Sequence, residues 1–297
     1  MALSKCNPVA TDEHGRELVD HGSSLFPMAC YHDNLTEIDV GWHWHEEFEV
    51  LLVESGECRI SISGEEFILQ ENEGLFINSG ILHACYVHGR KVCRFYSIVF
   101  HPRLVAGSLD SILWQKYVEP LIQETSLPWI RFGKEQNWTD EASKYLMSAW
   151  NAAASENSGY EFEVRNSLSR LILLLENHHT PAQKRPSEKT LRSAKRVKLM
   201  LQFMHEHLSE EITLDQIASS ASVSRNECLR CFHDILGTSP IQYLKEIRIQ
   251  KAERLLKQTD MKISDIAMEC GFQEMSCFAR TFKKHKGTAP SELRKAS

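Results

Sequence analysis

One stretch decides the fold of the C-terminal third of this chain: TLDQIASSASVSRNECLRCFHDILGTSP, residues 213–240. A second stretch follows at residues 262–290 and has the sequence KISDIAMECGFQEMSCFARTFKKHKGTAP. The two share an Ile-Ala pair at an offset of 49 residues, and an arginine, a phenylalanine and a Gly-Thr-x-Pro ending at an offset of 50. A single inserted residue accounts for the change of offset. We therefore interpret the two stretches as copies of one structural unit.

Each copy has the pattern of a short helix, a turn and a longer helix. In the first copy Thr213 can cap the short helix and Ser224 the longer one, because a hydroxyl oxygen accepts from backbone N–H groups. In the second copy Gly271 lies in the turn, where glycine adopts a left-handed conformation readily. Small Ala218 and Ala267 allow the helices to cross closely. The pattern predicts two helix-turn-helix motifs, whose second helices fit a DNA major groove.

The segment between the copies is SPIQYLKEIRIQKAERLLKQTD, residues 239–260, and it carries an apolar stripe at helical spacing. It predicts one helix of about five turns that would hold the motifs at a fixed separation. Another helix is predicted upstream, within RSAKRVKLMLQFMHEHLSEEIT at residues 192–213. Residues 187–297 hold 19 basic and 14 acidic side chains, whereas the rest of the chain holds 15 and 26. This asymmetry favours a polyanion partner for the C-terminal part alone.

The bulk composition limits the class of protein. The chain has 297 residues, enough for about two domains, and its composition of 42% hydrophobic and 25% charged residues is typical of globular proteins. Its N-terminal residues lack the apolar core of a secretory signal, and its longest aliphatic run, LILLL, is too short to span a bilayer. We therefore expect a cytoplasmic protein with no membrane partner. The nine cysteines show little motif-like spacing, and we interpret them as buried thiols.

The first hundred residues have the pattern of short strands. Apolar and polar residues alternate in ECRISISGEEFILQENEGLFINSG, residues 57–80, and β-branched and aromatic residues dominate RFYSIVF, residues 94–100. Short strands separated by glycine-containing turns predict a small antiparallel barrel.

Two helices, joined near residues 155–160, are predicted beyond the barrel. An apolar stripe on the second helix is formed by Val164, Leu168, Leu171, Ile172 and Leu175. A proline-containing polar stretch, NHHTPAQKRPSEK, then indicates a linker. The chain is thus divided into a barrel at 1–136, a helical segment at 137–178, a linker at 179–189 and an α-helical DNA-binding domain at 190–297.

Another short stretch contains side chains that bind metals. GWHWHEEFEV, residues 41–50, places His43, His45 and Glu49 at odd positions, so in an extended strand the three side chains would share one face. Two imidazoles and a carboxylate that converge on one point are typical ligands of a metal ion.

The C-terminal motifs resemble the DNA-binding domain of the AraC/XylS family of transcription regulators. The resemblance rests on LDQIA, LRCFHDILGTSPIQYLKEIRIQKAERLL, ISDIAMECGF and FARTFKKHKGTAPSELR. The N-terminal part is similar to the cupin-like effector and dimerisation domain common in that family. The resemblance implies an α+β protein of two domains: an N-terminal cupin-like β-barrel with flanking helices, and a C-terminal all-α domain with two helix-turn-helix motifs.

The resemblance also implies function and partners. We expect a sequence-specific, DNA-binding transcription regulator, not an enzyme, controlled by a small-molecule effector in the N-terminal barrel. Its partners would be double-stranded DNA, the effector and a second copy of the chain, with RNA polymerase as a further candidate. Because family members often dimerise through helices beside the barrel, we expect the apolar stripe to pair with its copy in a second subunit. Packing against the chain's own barrel is the alternative.

On DNA, the resemblance implies that the second helix of each motif lies in a major groove. Arg230 and Arg280 match family positions where arginine commonly contacts bases, and a guanidinium can donate two hydrogen bonds to guanine. A solvated salt bridge is the alternative for each. Lys283 and Lys284 are expected to contact phosphates, which position the protein without specifying sequence. The exposed helix starts, expected to set sequence preference, comprise Arg225, Asn226, Glu227, Glu274, Met275, Ser276 and Cys277.

The cupin resemblance adds His83 to the barrel cluster. Residues 78–83, NSGILH, match a cupin element that usually begins with proline, a position occupied here by Asn78. Three interpretations of His43, His45, Glu49 and His83 stay open: a divalent metal site, an effector pocket without metal, and a structural hydrogen-bonded cluster. We favour the metal-free pocket. The alternative for the whole chain is a cupin-type metalloenzyme, such as a dioxygenase or isomerase, with an appended helical domain.

Overall fold

The computed structural model describes residues 3–4, 17, 19–37, 40–89, 91–123, 127–133, 138–178 and 187–296, without the side chains of residues 258, 295 and 296. The chain forms two compact units, which divide between Arg192 and Ser193. The predicted boundary at residues 136–137 and residues 179–186 of the predicted linker lie outside the described residues. Among the described helices, none combines the length and apolar character needed to cross a membrane.

The first unit is built on antiparallel sheets, as the strand-like sequence predicts. Its strands are β1 (Met28–Asn34), β2 (Val40–His43), β3 (Phe48–Ser55), β4 (Glu57–Ile62), β5 (Glu65–Gln70), β6 (Gly74–Ile77), β7 (His83–Val87), β8 (Arg94–Phe100) and β9 (Trp129–Phe132). One sheet has the order β1-β8-β3-β6-β9 and the other the order β2-β7-β4-β5. The pairing of each described strand with its neighbours is antiparallel.

The five-stranded sheet is buried on both faces, because apolar side chains of its strands point alternately to one face and to the other. Leu51 and Val53 of β3 belong to one cluster with Ile60 of β4, so this face packs against the four-stranded sheet. Phe48 and Val50, which point to the opposite face, belong to a second cluster that includes helical residues. Glu49 therefore shares the inner face between the sheets with Leu51 and Val53.

Helices cover the outer face of the five-stranded sheet. They are α1 (Arg103–Ala106), a π-helical turn (Trp114–Val118) that continues into α2 (Glu119–Gln123), α3 (Thr139–Ser155) and α4 (Tyr160–His178). The prediction of two helices joined near residues 155–160 is confirmed, since α3 ends at Ser155 and α4 begins at Tyr160.

The apolar stripe of α4 belongs to the core of this unit. Its five side chains are at most 4% exposed, and they cluster with residues of α3 and of the five-stranded sheet. The expectation that this stripe forms a subunit interface is therefore wrong, and the alternative of packing against the chain's own barrel is correct. The side chains concerned are Val164, Leu168, Leu171, Ile172 and Leu175.

The second unit is helical. The helices from Glu188 onward are α5 (Glu188–Glu206), α6 (Leu214–Ser220), α7 (Arg225–Leu236), α8 (Pro240–Gln258), α9 (Ile263–Glu269), α10 (Met275–Lys286) and α11 (Pro290–Ala296). The division between Arg192 and Ser193 falls within α5. This helix begins within the predicted linker, whose last two residues are helical. The pairs α6–α7 and α9–α10 confirm the two predicted helix-turn-helix motifs. The 19 residues of α8 confirm the predicted long helix, which spans about 28 Å at 1.5 Å per residue.

The helix starts and turns follow from local sequence. Thr213 forms a capping box with Gln216, and the Ser224 hydroxyl accepts a hydrogen bond from the Glu227 backbone N–H, as their positions predict. Gly271 adopts a left-handed φ of 75°, and a Cβ there would lie 2.4 Å from the Leu208 carbonyl oxygen. Glycine is favoured at this turn by its backbone conformation and is required by the close approach of a neighbouring chain segment.

Candidate functional site

The two candidate recognition helices, α7 and α10, are equivalent in position and length. Both contain 12 residues, and each residue of α7 corresponds to the residue 50 positions later in α10. One face of each helix is buried, through Phe232 in α7 and through Phe282 in α10. The opposite face is exposed and carries the residues that the sequence assigns to DNA. The exposed pairs, by position, are Arg225 and Met275, Asn226 and Ser276, Leu229 and Ala279, Arg230 and Arg280, His233 and Lys283, and Asp234 and Lys284.

The arginines of α7 are engaged by carboxylates of the same unit. The Arg225 guanidinium donates to Asp215 of α6. Arg230 Nη2 lies 2.5 Å from Glu227 Oε2, and Arg196 Nη1 of α5 lies 2.6 Å from Glu227 Oε1. Glu227, which the sequence assigns to DNA, therefore holds two guanidiniums in place.

The basic residues of α10 have a different environment. Arg280, Lys283 and Lys284 are exposed, and none of them has an ion pair within the part of the chain that the structure describes. Lys286, the fourth basic residue of α10, contacts Glu253 of α8. Glu274 is the N-cap residue of α10.

The charge on the two helices differs accordingly. Arg225, Glu227, Arg230 and Asp234 balance one another in α7. By contrast, α10 carries four basic residues and no acidic one between Met275 and Lys286. The exposed face of α10 therefore carries more positive charge than that of α7, and positive charge of this kind attracts phosphates.

Sequence reasoning missed the ion partners Arg196 and Asp215 and the exposed apolar side chain of Leu229, which is 40% exposed. The offset of 50 residues would have identified Leu229, because it corresponds to a residue on the exposed face of α10. The ion pairs give no comparable signal, since their partners lie on other helices.

The barrel cluster is assembled from both sheets. His43 ends β2 and His83 begins β7, where the two are register partners. Glu49 lies on β3 of the other sheet, and His45 lies between β2 and β3. The expectation that His43, His45 and Glu49 share one strand is wrong, because the strand ends at His43. The four side chains nevertheless converge, and all are buried.

The ligand-type atoms of the cluster lie close together. One nitrogen or carboxylate oxygen from each of the four residues lies within 4.8 Å of all the others. Glu49 Oε2 is 3.1 Å from His83 Nε2 and 3.4 Å from His45 Nε2. Three imidazoles and one carboxylate in this arrangement form a donor set suited to zinc, iron or manganese.

Backbone carbonyls fix the tautomers of all three histidines. His43 Nδ1 donates to Gly41 O at 2.8 Å, His45 Nδ1 donates to Glu47 O at 3.1 Å, and His83 Nδ1 donates to Ile81 O at 2.8 Å. A carbonyl oxygen can only accept, so each Nδ1 carries a proton. In its neutral form, each ring therefore directs an Nε2 lone pair toward the cluster.

Where these lone pairs meet the Glu49 carboxylate, a positive charge is needed, supplied either by a metal ion or by a second proton on one of the rings. Burial, with a smaller contribution from His83, lowers the pKa of His43 to about 3, so this ring is neutral. Burial raises the pKa of Glu49, but its contacts with His45 and His83 outweigh burial and hold the pKa well below its usual range. His45 Nε2 is buried without a hydrogen-bond partner. The cluster thus brings acceptors together around one point, which favours a cation there.

A second layer of polar side chains adjoins the cluster and was missed by sequence reasoning. His21 Nε2 lies 3.2 Å from Glu17 Oε2, and His21 Nδ1 lies 2.8 Å from the Tyr31 hydroxyl. Glu17 Oε2 is also 3.8 Å from His43 Nε2. No motif spacing links these residues to the cluster, so the sequence offered no signal for them.

Asn78 supports the cluster in place of the usual proline. Its side-chain amide donates to the carbonyl oxygens of Leu121 and Leu127 at 2.7 and 3.1 Å. The loop that follows is tied to the His45 segment by a hydrogen bond from Gly80 N to His45 O at 2.8 Å. This hydrogen-bonded loop positions His83 next to His43 and His45.

Two family models match the chain. The model described as an AraC-like ligand binding domain matches residues 25–183, and the model described as a helix-turn-helix domain matches residues 217–296.

Known proteins with similar sequences carry regulator names. The chain is 28% identical to an uncharacterized HTH-type transcriptional regulator, YdeC, of Bacillus subtilis strain 168, over 96% of this chain and 97% of that protein. It is 24% identical to the HTH-type transcriptional activator RhaS of Escherichia coli, over 92% of this chain and 96% of that protein. A solved AraC-type regulator from Chromobacterium violaceum is 33% identical over 35% of this chain and 92% of that chain, with a TM-score of 0.33.

Proposed function

Because the chain belongs to the AraC family of DNA-binding transcription regulators, we propose that its two helix-turn-helix motifs divide DNA recognition unequally. The second motif would read bases through Arg280 and contact phosphates through Lys283 and Lys284. The first motif would contribute through Arg230 and Arg225 only after these exchange their carboxylate partners for DNA. Two observations support this division: the arginines of α7 are ion-paired, and Arg280, Lys283 and Lys284 have no ion pair among the described residues.

The remaining exposed residues complete the proposed surface. Asn226, Met275 and Ser276 lie at the starts of α7 and α10, where side chains reach base edges in helix-turn-helix proteins. Glu227 holds two arginines, so we assign it to positioning and not to base contact. Glu274 precedes α10 and its side chain makes no capping hydrogen bond, so it stays a proposed contact to DNA.

Footprinting on duplexes selected from a random pool tests the two-motif proposal. Because α8 connects the motifs, protected segments should lie on one face of the duplex, about 10 base pairs apart. A single protected segment, unchanged by substitutions in α7, would show that only one motif binds.

For the N-terminal domain, we propose that the cluster of His43, His45, Glu49 and His83 is the effector site. Within this site we favour a divalent transition metal over the metal-free pocket, because one ion would satisfy all of the converging acceptors at once. The support for metal is His45 Nε2, which is buried without a hydrogen-bond partner and lies 3.4 Å from Glu49 Oε2. Bound metal would supply a Lewis-acidic centre that attracts oxygen-containing ligands.

Elemental analysis of protein purified without a polyhistidine tag tests this proposal. We expect close to one zinc, iron or manganese per chain, and loss of the metal in a His43→Ala, His45→Ala variant. Glu46→Gln, which alters a carboxylate outside the cluster, is the matched control. Metal-free wild-type protein, even after refolding with each ion, would restore the metal-free pocket as the better interpretation.

We propose regulation, and not catalysis, as the role of this site, because a DNA-binding domain accompanies it in the same chain. Turnover of a small molecule by the metal-loaded protein would instead support the cupin-type enzyme. RNA polymerase stays a candidate partner, to be tested by transcription in vitro. A cytoplasmic location is proposed from the DNA-binding role.

We also propose a homodimer, through the exposed face of α4 instead of its buried stripe. Phe162 is 81% exposed and Leu173 is 47% exposed, and their spacing of about three helical turns places them on one side. In light scattering, Phe162→Asp with Leu173→Asp should give a folded monomer. Leu171→Asp should instead unfold the N-terminal unit. A dimer that survives the double substitution would show that this face is not the interface.

A further inference from the structure

The carboxylate of Glu17 is directed at the barrel cluster from outside the strands that carry it. Its Oε2 atom lies 3.8 Å from His43 Nε2, and its side chain is only 12% exposed. The Glu17 backbone N–H donates to Trp44 O at 2.9 Å. Glu17 is therefore bonded to the residue that separates His43 from His45 in the sequence. No motif of the barrel predicts an acidic residue at this position.

The distance suits two ligands of one ion. Nitrogen and oxygen ligands bind zinc at about 2.0–2.2 Å. Neighbouring ligand atoms on such an ion are therefore about 3 Å apart, and opposite ones about 4 Å. The separation of 3.8 Å between Glu17 Oε2 and His43 Nε2 falls within this interval. Glu17 is not among the four residues whose ligand atoms all lie within 4.8 Å of one another, so its side chain must rotate toward them to reach the same ion.

Charge balance favours the same assignment. A divalent cation bound by three neutral imidazoles and the single negative charge of Glu49 would keep a net charge of about +1 in a buried site. A net charge in such surroundings is costly unless it is paired. The Glu17 carboxylate, 12% exposed and 3.8 Å from His43 Nε2, would supply the missing negative charge.

A hydrogen-bonded chain orients the Glu17 carboxylate. His21 Nε2 donates to Glu17 Oε2 at 3.2 Å, which leaves His21 Nδ1 to accept from the Tyr31 hydroxyl at 2.8 Å. Second partners of this type hold metal-ligating groups in a fixed orientation. His21 and Tyr31 are themselves buried, so the arrangement is built into the barrel.

We propose that Glu17 is a fifth protein ligand of the barrel metal, oriented by His21 and Tyr31. The inference rests on the proposed metal site and deepens it, because it defines a donor set of three nitrogens and two carboxylates. Metal binding would then tie the N-terminal segment at Glu17 to the barrel through a bond that His43, His45, Glu49 and His83 alone do not provide.

Cobalt(II) binding to the full-length protein tests this inference. Glu17→Gln keeps the shape of the side chain but removes the charge, and we expect a 10- to 100-fold loss of cobalt and zinc affinity in competition with a chelator. The visible absorption of cobalt should also intensify, because a lower coordination number gives stronger d–d bands. Asp20→Asn, an exposed carboxylate of the same segment, is the control and should leave both readouts unchanged.

The outcomes separate the two proposals. If the wild-type protein binds no cobalt or zinc, the metal site itself is wrong. The wild-type protein could instead bind metal while Glu17→Gln leaves the metal affinity and the cobalt spectrum unchanged. In that case the metal site is real, but Glu17 only accepts a hydrogen bond from His21 and is not a ligand, which overturns this inference. Tyr31→Phe provides a second variant should Glu17→Gln unfold. It should lower metal affinity by a smaller factor, and an unchanged affinity would count against the orienting chain.

Discussion

In the first helix-turn-helix motif the arginines of α7 contact carboxylates of the same unit, whereas Arg280 of the second motif has no ion pair among the described residues. The helices themselves are equal in length and bury equivalent phenylalanines. Two copies of one motif can thus keep the same buried residues while the charges on their exposed faces differ. Since DNA affinity depends on charge at that face, the two copies should make different contributions to binding.

The turns show the same divergence in backbone terms. Gly271 and Ser222 occupy equivalent positions and both have positive φ angles, of 75° and 54°. Serine at such an angle is strained, whereas glycine is not. In the second copy the space next to the turn is also filled by Leu208 O and by Arg248.

The largest effect is expected at these turns. Gly271→Ala should destabilise the second unit by about 2–4 kcal/mol, because it adds both left-handed strain and a steric clash. Ser222→Gly should stabilise it by up to about 1 kcal/mol. Thermal and urea unfolding of the full-length protein measures both.

Gly287→Ala is the matched control for the clash. Gly287 has a φ of 73°, close to that of Gly271, but a Cβ there meets nothing within 4 Å. We expect a loss of about 1–2 kcal/mol from the backbone strain alone. Equal losses at both glycines would show that the close approach at Gly271 contributes nothing.

Exchanging charges between the copies should have the next largest effect. Lys283 and Lys284 correspond to His233 and Asp234 in α7. A Lys283→His, Lys284→Asp variant should lose two phosphate contacts and reduce the salt dependence of DNA binding, the slope of log K against log salt, by about 2. The loss should be similar on matched and scrambled duplexes, and a change confined to the matched duplex would assign these lysines to base reading.

Releasing the arginines of α7 should have the smallest effect. Glu227→Gln removes the carboxylate that holds Arg230 and Arg196. Because exposed ion pairs are worth about 0–1 kcal/mol, DNA affinity should rise by about fivefold at most. Asp234→Asn is the control, because it changes the charge of the same helix without releasing an arginine. Fluorescence anisotropy titrations measure the DNA affinity of both variants. An equal rise in affinity for both would show that net charge alone causes the effect.

Features that depend on neighbouring residues could be predicted from the sequence. The caps at Thr213 and Ser224, the left-handed Gly271 and the length of α8 follow from local rules of helix starts and turns. The barrel cluster was also found, because His43, His45 and Glu49 lie within seven residues.

Contacts between distant elements could not be predicted in this way. An apolar stripe such as that of α4 packs equally well against its own chain or a partner, so periodicity alone could not show that Leu171 is core. The pairing of Arg196 with Glu227 joins residues 31 positions apart, and either could have bonded elsewhere. Glu17 reaches the barrel only through the tertiary fold.

The central claim is that the second motif reads bases. It is tested most directly by measuring how Arg280→Ala and Arg230→Ala proteins bind matched and scrambled duplexes at two salt concentrations. Arg280→Ala should cost about 1–3 kcal/mol on the matched duplex and relax preference at one base position. It should have little effect on the scrambled duplex, and Arg230→Ala should cost less on either. Equal losses on both duplexes for Arg280→Ala, or a larger loss for Arg230→Ala on the matched one, would contradict the claim that the second motif reads bases.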